Sequence, residues 1–372
     1  MADTMEDFEE SPDLDRELAL IEKSQSDEDE LNETPPSDIV AFNELRSCSD
    51  LKRLRDAEQL QIQPEFQRED VWQATQQTRF IDSLAKQLPI PSMCISLDYK
   101  TDKRQIVDGL QRMSSILRFL GDDDWRLSNL EDIDNRISNK TVGHIRKNHP
   151  EIFSRVENTV IPVTVLRCDL AKRSHQEYLF TIFHRLNTGG MKLNNQEIRN
   201  CIYSGSFNEM LKQVAWSENS KAIFGLVEGR KYRFSTEELL LRFLAFSEDL
   251  GSYKRPLPRF LNEYMAKFRK ASDDTVAEKQ TILERALKVV YEKALASEPL
   301  PRLSKATVEA IFVGVIANLE KIEALPAEEV SRRYQQLRQH NEFSVESLKE
   351  GLSDASKVTS RISTAIGIFG AD

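Results

Sequence analysis

Ile106-Val107-Asp108-Gly109-Leu110-Gln111-Arg112 is the stretch from which the fold can be read. Before it, residues 93–99 and 105–107 are β-type runs around Thr101-Asp102-Lys103, a pattern that predicts a hairpin. After it the period changes. Met113, Ile116, Leu117 and Leu120 share one helical face, predicting a helix over 110–120 that Gly121 ends. A strand thus passes through a glycine directly into a helix. The first turn of a helix carries N–H groups without internal partners and a partial positive charge, which suits phosphate. Gly109 lets a ligand approach the backbone, and Arg112 adds a donor matched to phosphate oxygens. Asp108 can hold a metal ion, orient water or accept from a hydroxyl. The competing reading is an ordinary strand–helix turn, with Asp108 as the cap and Arg112 on the surface.

Two other stretches carry similar residue types. In Pro64-Glu65-Phe66-Gln67-Arg68, continuing to Trp72, an aromatic, an amide and an arginine precede a helix. A base can stack on Phe66 while Arg68 reaches phosphate; alternatively Phe66 and Trp72 anchor the core. In Arg185-Leu186-Asn187-Thr188-Gly189-Gly190 a helix runs into a Gly-Gly loop. Successive N–H groups of such a loop can form an anion nest, or the glycines simply end the helix. Asn194 and Glu197 have the spacing of a capping box.

Between and around these stretches the pattern divides the chain. Residues 1–40 hold 15 Asp and Glu against 2 Lys and Arg. They read as a disordered acidic tail, or as an acidic arm that covers a basic groove. Residues 41–170 read as a mixed α/β domain, with helices over 51–58 (capped by Ser49 or Asp50) and 77–87. A further strand over 160–166 is placed by Pro162 at the start or edge of a sheet. Residues 171–372 read as helical, in nine segments beginning with 174–186. The formal charge of −10 lies in the tail; the rest has 49 bases against 46 acids, and residues 171–270 have 17 against 10. That excess makes DNA a candidate partner for 171–270. No apolar run approaches a membrane span, and the first residues lack the features of a secretory signal. Cys48, Cys94, Cys168 and Cys201 are far apart and the 5 histidines are scattered, so no metal site is expected and a reducing cytoplasm fits.

The ordered set FQREDVW (66–72), IDSLAKQLPIP (81–91), IVDGLQRMSSILRF (106–119) and FHRLNTGGMKLNNQEIRNCIY (183–203) resembles the N-terminal domain family of GmrSD-type restriction systems. Weaker likeness continues through EELLLRFLAF (237–246), residues 258–265 and VTSRISTAIGIF (358–369), so that it spans 41–368. The resemblance implies an α+β fold: a ParB/sulfiredoxin-like core, then a larger helical region. It implies a DGQQR-type signature at Asp108, Gly109, Gln111 and Arg112, where Leu110 replaces the first Gln. It further implies a nucleoside triphosphate, with Mg2+, as ligand. Asp108, Gln111 and Arg112 would be the catalytic set. Phe66, Gln67, Arg68, Gly109, Arg185, Asn187, Thr188, Gly189 and Gly190 would bind nucleotide or phosphate. Many relatives act with an HNH-type nuclease, and the C-terminal 100 residues hold only His340 in a helical context, so a separate nuclease subunit is the expected partner. The expected function is a nucleotide-binding, NTP-hydrolysing or sensing regulator of an anti-phage restriction system. The alternatives are a DNA- or protein-binding module without nucleotide chemistry, motivated by Leu110, and a stand-alone nuclease.

Overall fold

The computed structural model describes residues 36–62, 72–186, 193–227, 234–254, 256–349 and 351–371. The acidic segment up to residue 35, the Phe66-Gln67-Arg68 element and the Asn187-Thr188-Gly189-Gly190 loop lie outside the described residues. The chain divides into two compact units between Leu193 and Asn194.

The first unit is built on a five-stranded mixed sheet: β1 (Val40–Ser47), β2 (Leu60–Gln61), β3 (Met93–Asp98), β4 (Lys103–Asp108) and β5 (Val160–Cys168), ordered β1-β5-β3-β4-β2. β3 and β4 form the expected antiparallel hairpin, β5 runs parallel to β3, and β1 pairs antiparallel with β5. β5 is therefore an interior strand throughout its pairing with β3, which corrects its placement at a start or edge. Pro162 is tolerated because β3 pairs only from Val163 onward, while Pro162 faces Leu45 of β1. There the missing N–H leaves no β3 carbonyl unpaired.

Helices cover this sheet. In α1 (Cys48–Asp56) the cap is Ser47, whose hydroxyl accepts from the Asp50 N–H at 3.0 Å, two or three residues earlier than Ser49 or Asp50 would place it. α2 (Ala74–Ala85) buries Phe80, Ile81 and Leu84 and stops before Pro89. Gln87 turns left-handed (φ 55°) and the Leu88 N–H closes onto the Ser83 carbonyl. α3 (Leu110–Gly121) buries Met113, Ile116, Phe119 and Leu120. α4 (Val142–Asn148) and α5 (Pro150–Asn158) are short helices that bury two residues each, too few for a periodic signal. α6 (Arg173–Leu186) completes the unit and packs on β4. Met93, Ile95, Ile106, Met113, Ile116, Phe119, Ile161 and Val163 meet in one core.

The second unit contains α7 (Asn195–Ile202), α8 (Ser206–Ala215), α9 (Glu218–Phe224), α10 (Ser235–Asp249), α11 (Leu257–Phe268) and α12 (Asp273–Val289). These are followed by α13 (Lys305–Ala317), α14 (Leu319–Ala324), α15 (Ala327–Arg338), α16 (Val345–Lys349) and α17 (Ala355–Gly370). α7 opens with the capping box of Asn194 and Glu197. α13 is buried from Ala306 to Val315, which makes it the central helix, and it packs on α10 and α17. Phe312 stacks on Phe243 with centroids 4.3 Å apart.

One polar network lies within this unit. Arg199 of α7 is 1 % exposed and donates to Glu238 of α10 at 2.7 Å; Arg242 binds the other Glu238 oxygen, also at 2.7 Å. Burial opposes the charge on Glu238, but Arg242, Lys305 and Arg199 together hold its carboxyl down at about 2. Removing one member would strand a buried charge, which typically costs about 3–5 kcal/mol.

Two glycines test the α13–α17 contact. A Cβ on Gly314 would lie 2.7 Å from Phe369 and 2.9 Å from the Ala365 carbonyl, whereas one on Gly367 would meet nothing within 4 Å. In urea unfolding, Gly314→Ala is expected to lose about 1–3 kcal/mol by overpacking. Gly367→Ala should gain about 0.5–1 kcal/mol from helix propensity. Equal effects of the two changes would contradict this packing.

Candidate functional site

The site begins where β4 ends. Asp108 is its last residue, Gly109 takes φ 96° and ψ 18°, and α3 starts at Leu110 with no side chain capping it. Only glycine enters this left-handed turn without strain. Space reinforces the choice, since a Cβ at Gly109 would lie 2.8 Å from Met93 Cγ and 3.1 Å from the Arg112 guanidinium. Asp108 therefore does not cap α3, and the amino end of the helix keeps its backbone N–H groups unclaimed by side chains.

Arg112 is only 13 % exposed, so it is not a surface arginine. Its Nη2 donates to Asp108 Oδ2 at 2.8 Å, and its Nη1 to the carbonyls of Pro91 and Ser92, the latter at 3.2 Å. The arginine thus ties the entry of β3 to the end of β4. Asp108 is 35 % exposed and keeps a solvent-facing side. Gln111 accepts from the Trp72 N–H at 3.2 Å, and Trp72 packs edge-on against Phe80 with centroids 5.6 Å apart. For Trp72 the core-anchor reading holds, since it packs against the core of the first unit.

Leu110 packs against the hydrophobic core of the first unit. At this position the first glutamine of the signature has been exchanged for an apolar contact. α6, whose last turn holds His184 and Arg185, packs on β4, the strand that delivers Asp108. Tertiary structure thereby brings the helix of the third motif to the strand of the second.

Other chemistry near the turn is restricted. Cys94 lies across from Asp108 in the β3–β4 register; burial first, and the Asp108 charge second, push its thiol up to about 12. No thiolate nucleophile is available there. His175 is 1 % exposed: its Nδ1 accepts from the Asp169 N–H at 2.9 Å, so Nε2 carries the proton toward Asp38 at 2.8 Å. Both nitrogens are occupied, one by the Asp169 N–H and the other in fastening Asp38 to α6, which leaves no base for catalysis. Sequence reasoning missed this pair because its members are 137 positions apart. Among the described residues no group of three or more His, Cys, Asp or Glu could hold a metal ion, and no helix is long and apolar enough to cross a membrane.

Several bases of 171–270 pair with acids of the same stretch: Arg173 with Glu177 (2.7 Å), Lys212 with Glu209 (2.8 Å), Lys267 with Asp249 (2.8 Å) and Arg259 with Glu263 (3.2 Å).

The buried thiols supply a check. Burial also raises Cys48 to about 12, as it does Cys94. At pH 8 the native protein should resist iodoacetamide at both positions and become labelled in urea. Rapid native labelling of Cys94, read by peptide mass spectrometry, would contradict the closed β3–β4 turn.

Comparison with known proteins adds one finding. Residues 51–204 match the family model described as GmrSD restriction endonuclease, N-terminal domain. No curated protein and no solved structure matches the chain significantly. The matched segment begins in α1, includes the Asp108–Arg112 turn and ends just after α7, so it holds the motifs that carried the resemblance. Residues 51–204 thus belong to the GmrSD N-terminal domain family, which links this part of the chain to restriction systems.

Proposed function

We propose that the chain is a nucleotide-binding regulatory or sensor component of its restriction system, with the Asp108–Arg112 turn as the phosphate site. The observation that carries this reading is the left-handed Gly109 in front of a helix that no side chain caps. Anions favour such a helix end. Phosphate held there would lie between N–H donors and the partly exposed Asp108. A Mg2+ ion bound to the nucleotide needs only one or two protein carboxylates, and Asp108 can supply one. In the unliganded geometry Arg112 is a positioning residue, because its donors are turned to Asp108 and two carbonyls. Phe66, Gln67, Arg68, Arg185 and the 187–190 loop would close the site. DNA and a separate nuclease subunit remain the proposed partners.

A specific observation favours a second reading, in which nucleotide is bound without turnover, or not at all. Leu110 is packed on the core, so no glutamine side chain is offered where the signature has one.

Calorimetric titration of the full chain with a panel of nucleoside triphosphates and Mg2+ separates these readings. The proposal expects one nucleotide to bind, with affinity about tenfold or more weaker in Arg112→Ala while the circular-dichroism spectrum is unchanged. Absence of binding by every nucleotide would overturn it. Phosphate release that disappears in Asp108→Asn would reject the reading without turnover.

A further inference from the structure

Away from the Asp108 turn, the first unit carries a second concave surface. An open depression of about 700 Å³ is lined by Lys86 beyond the end of α2, by Asp134, Arg136 and Lys140 of the loop before α4, and by His144 and His149. Residues 136–150 contain four Lys and Arg, two His and no Asp or Glu. The chain thus gathers bases at one place, independently of the total, and acids outside the stretch pair with two of them, Arg136 with Asp134 and Arg146 with Asp123, each at 2.7 Å.

The cations differ in availability. Lys86 is held by Asp82 at 2.6 Å, and Arg136 by Asp134 at 2.7 Å, with Glu151 3.5 Å away. These pairs leave the depression close to neutral on that side. Lys140 and Lys147 have no ion pair or hydrogen bond from their ammonium groups among the described residues. Lys147 and His144 are three positions apart on α4, so they share a face, and both are exposed. Lys140 lies just before Thr141, the N-cap of that helix. The unsatisfied positive charge therefore lies along the α4 rim.

Shape and lining decide what such a surface can hold. A small ligand is normally enclosed by a mostly apolar pocket, and this depression is open, with Ile133 as its one apolar lining residue. Unpaired bases need aromatic platforms, and no Phe, Tyr or Trp lines it. A protein partner needs apolar or aromatic anchors, which are equally missing from the lining. A rigid polyanion needs only spaced cations. We propose that the surface formed by Lys140, His144 and Lys147, with Lys86 and Arg136 behind them, docks the phosphate backbone of duplex DNA. The inference depends on the restriction-system family for its choice of polymer, and not on nucleotide binding at Arg112. The nucleotide titration can fail while this docking stands, and the reverse.

The test is fluorescence anisotropy of the full chain with a labelled duplex of about 20 base pairs, titrated from about 50 to 200 mM salt. The wild-type chain is expected to bind the duplex with a steep salt dependence. Lys140→Glu combined with Lys147→Glu should weaken binding about tenfold or more at the lowest salt and reduce the salt slope by about 2. A control pair, Lys103→Glu with Lys357→Glu, changes the net charge equally at exposed lysines elsewhere and should lose much less. Melting curves that match the wild type would show both variants folded. Absence of duplex binding, equal losses in the two variants, or preferential binding of single strands through Lys140 and Lys147 would each overturn the proposal.

Discussion

Gly109 is held between Met93 on one side and the guanidinium of Arg112 on the other, in a conformation that a side chain could adopt only with strain. Everything at the candidate site depends on this contact. The left-handed turn lets β4 pass into α3 without an intervening loop. It also leaves Asp108 outside the capping position, where its carboxylate can meet Arg112 instead. Arg112 then reaches back to the carbonyls before β3, and the hairpin is closed at its far end from the turn at Asp102. One glycine therefore sets the direction of a helix, the exposure of a carboxylate and the attachment of a neighbouring strand.

The same turn shows how the residues of a motif can be held in place by the fold itself. Gly109, Gln111 and Arg112 each make contacts that support the fold: a tight turn, a hydrogen bond to the Trp72 backbone and a three-way tie between strands. Leu110 fits the same frame by packing on the core. Because these contacts stabilise the unit whether or not a ligand is bound, the motif identifies the architecture more firmly than the reaction. The positive charge of the molecule behaves in a parallel way. Several bases in the middle of the chain face local acids, and around α4 Arg136 and Arg146 do too, while among the described residues Lys140 and Lys147 do not. Availability, and not abundance, decides where a polyanion can be held.

Several features were legible in the residues alone because they are encoded locally. The β3–β4 hairpin, the onset of α3 at Leu110, the capping box at Asn194 and most of the helices after residue 173 follow from period and punctuation within a few residues. Short elements were missed: β1, β2, α4 and α5 bury too few side chains to impose a pattern. Pro162 argued for a sheet edge, since a sequence cannot reveal that β3 begins one residue too late to need its N–H.

What the sequence determined by itself was therefore the turn, the hairpin and helices around it, and the ordered motifs that place residues 51–204 in their family. Tertiary structure alone decided the strand order, the burial of Arg199 against Glu238 and the fastening of Asp38 to His175. It also decided which lysines remain without acids. The physical reason is range. Hydrophobic period, capping and glycine conformation act over one or two turns of chain, whereas pairing, desolvation and charge neutralisation depend on residues that only folding brings together.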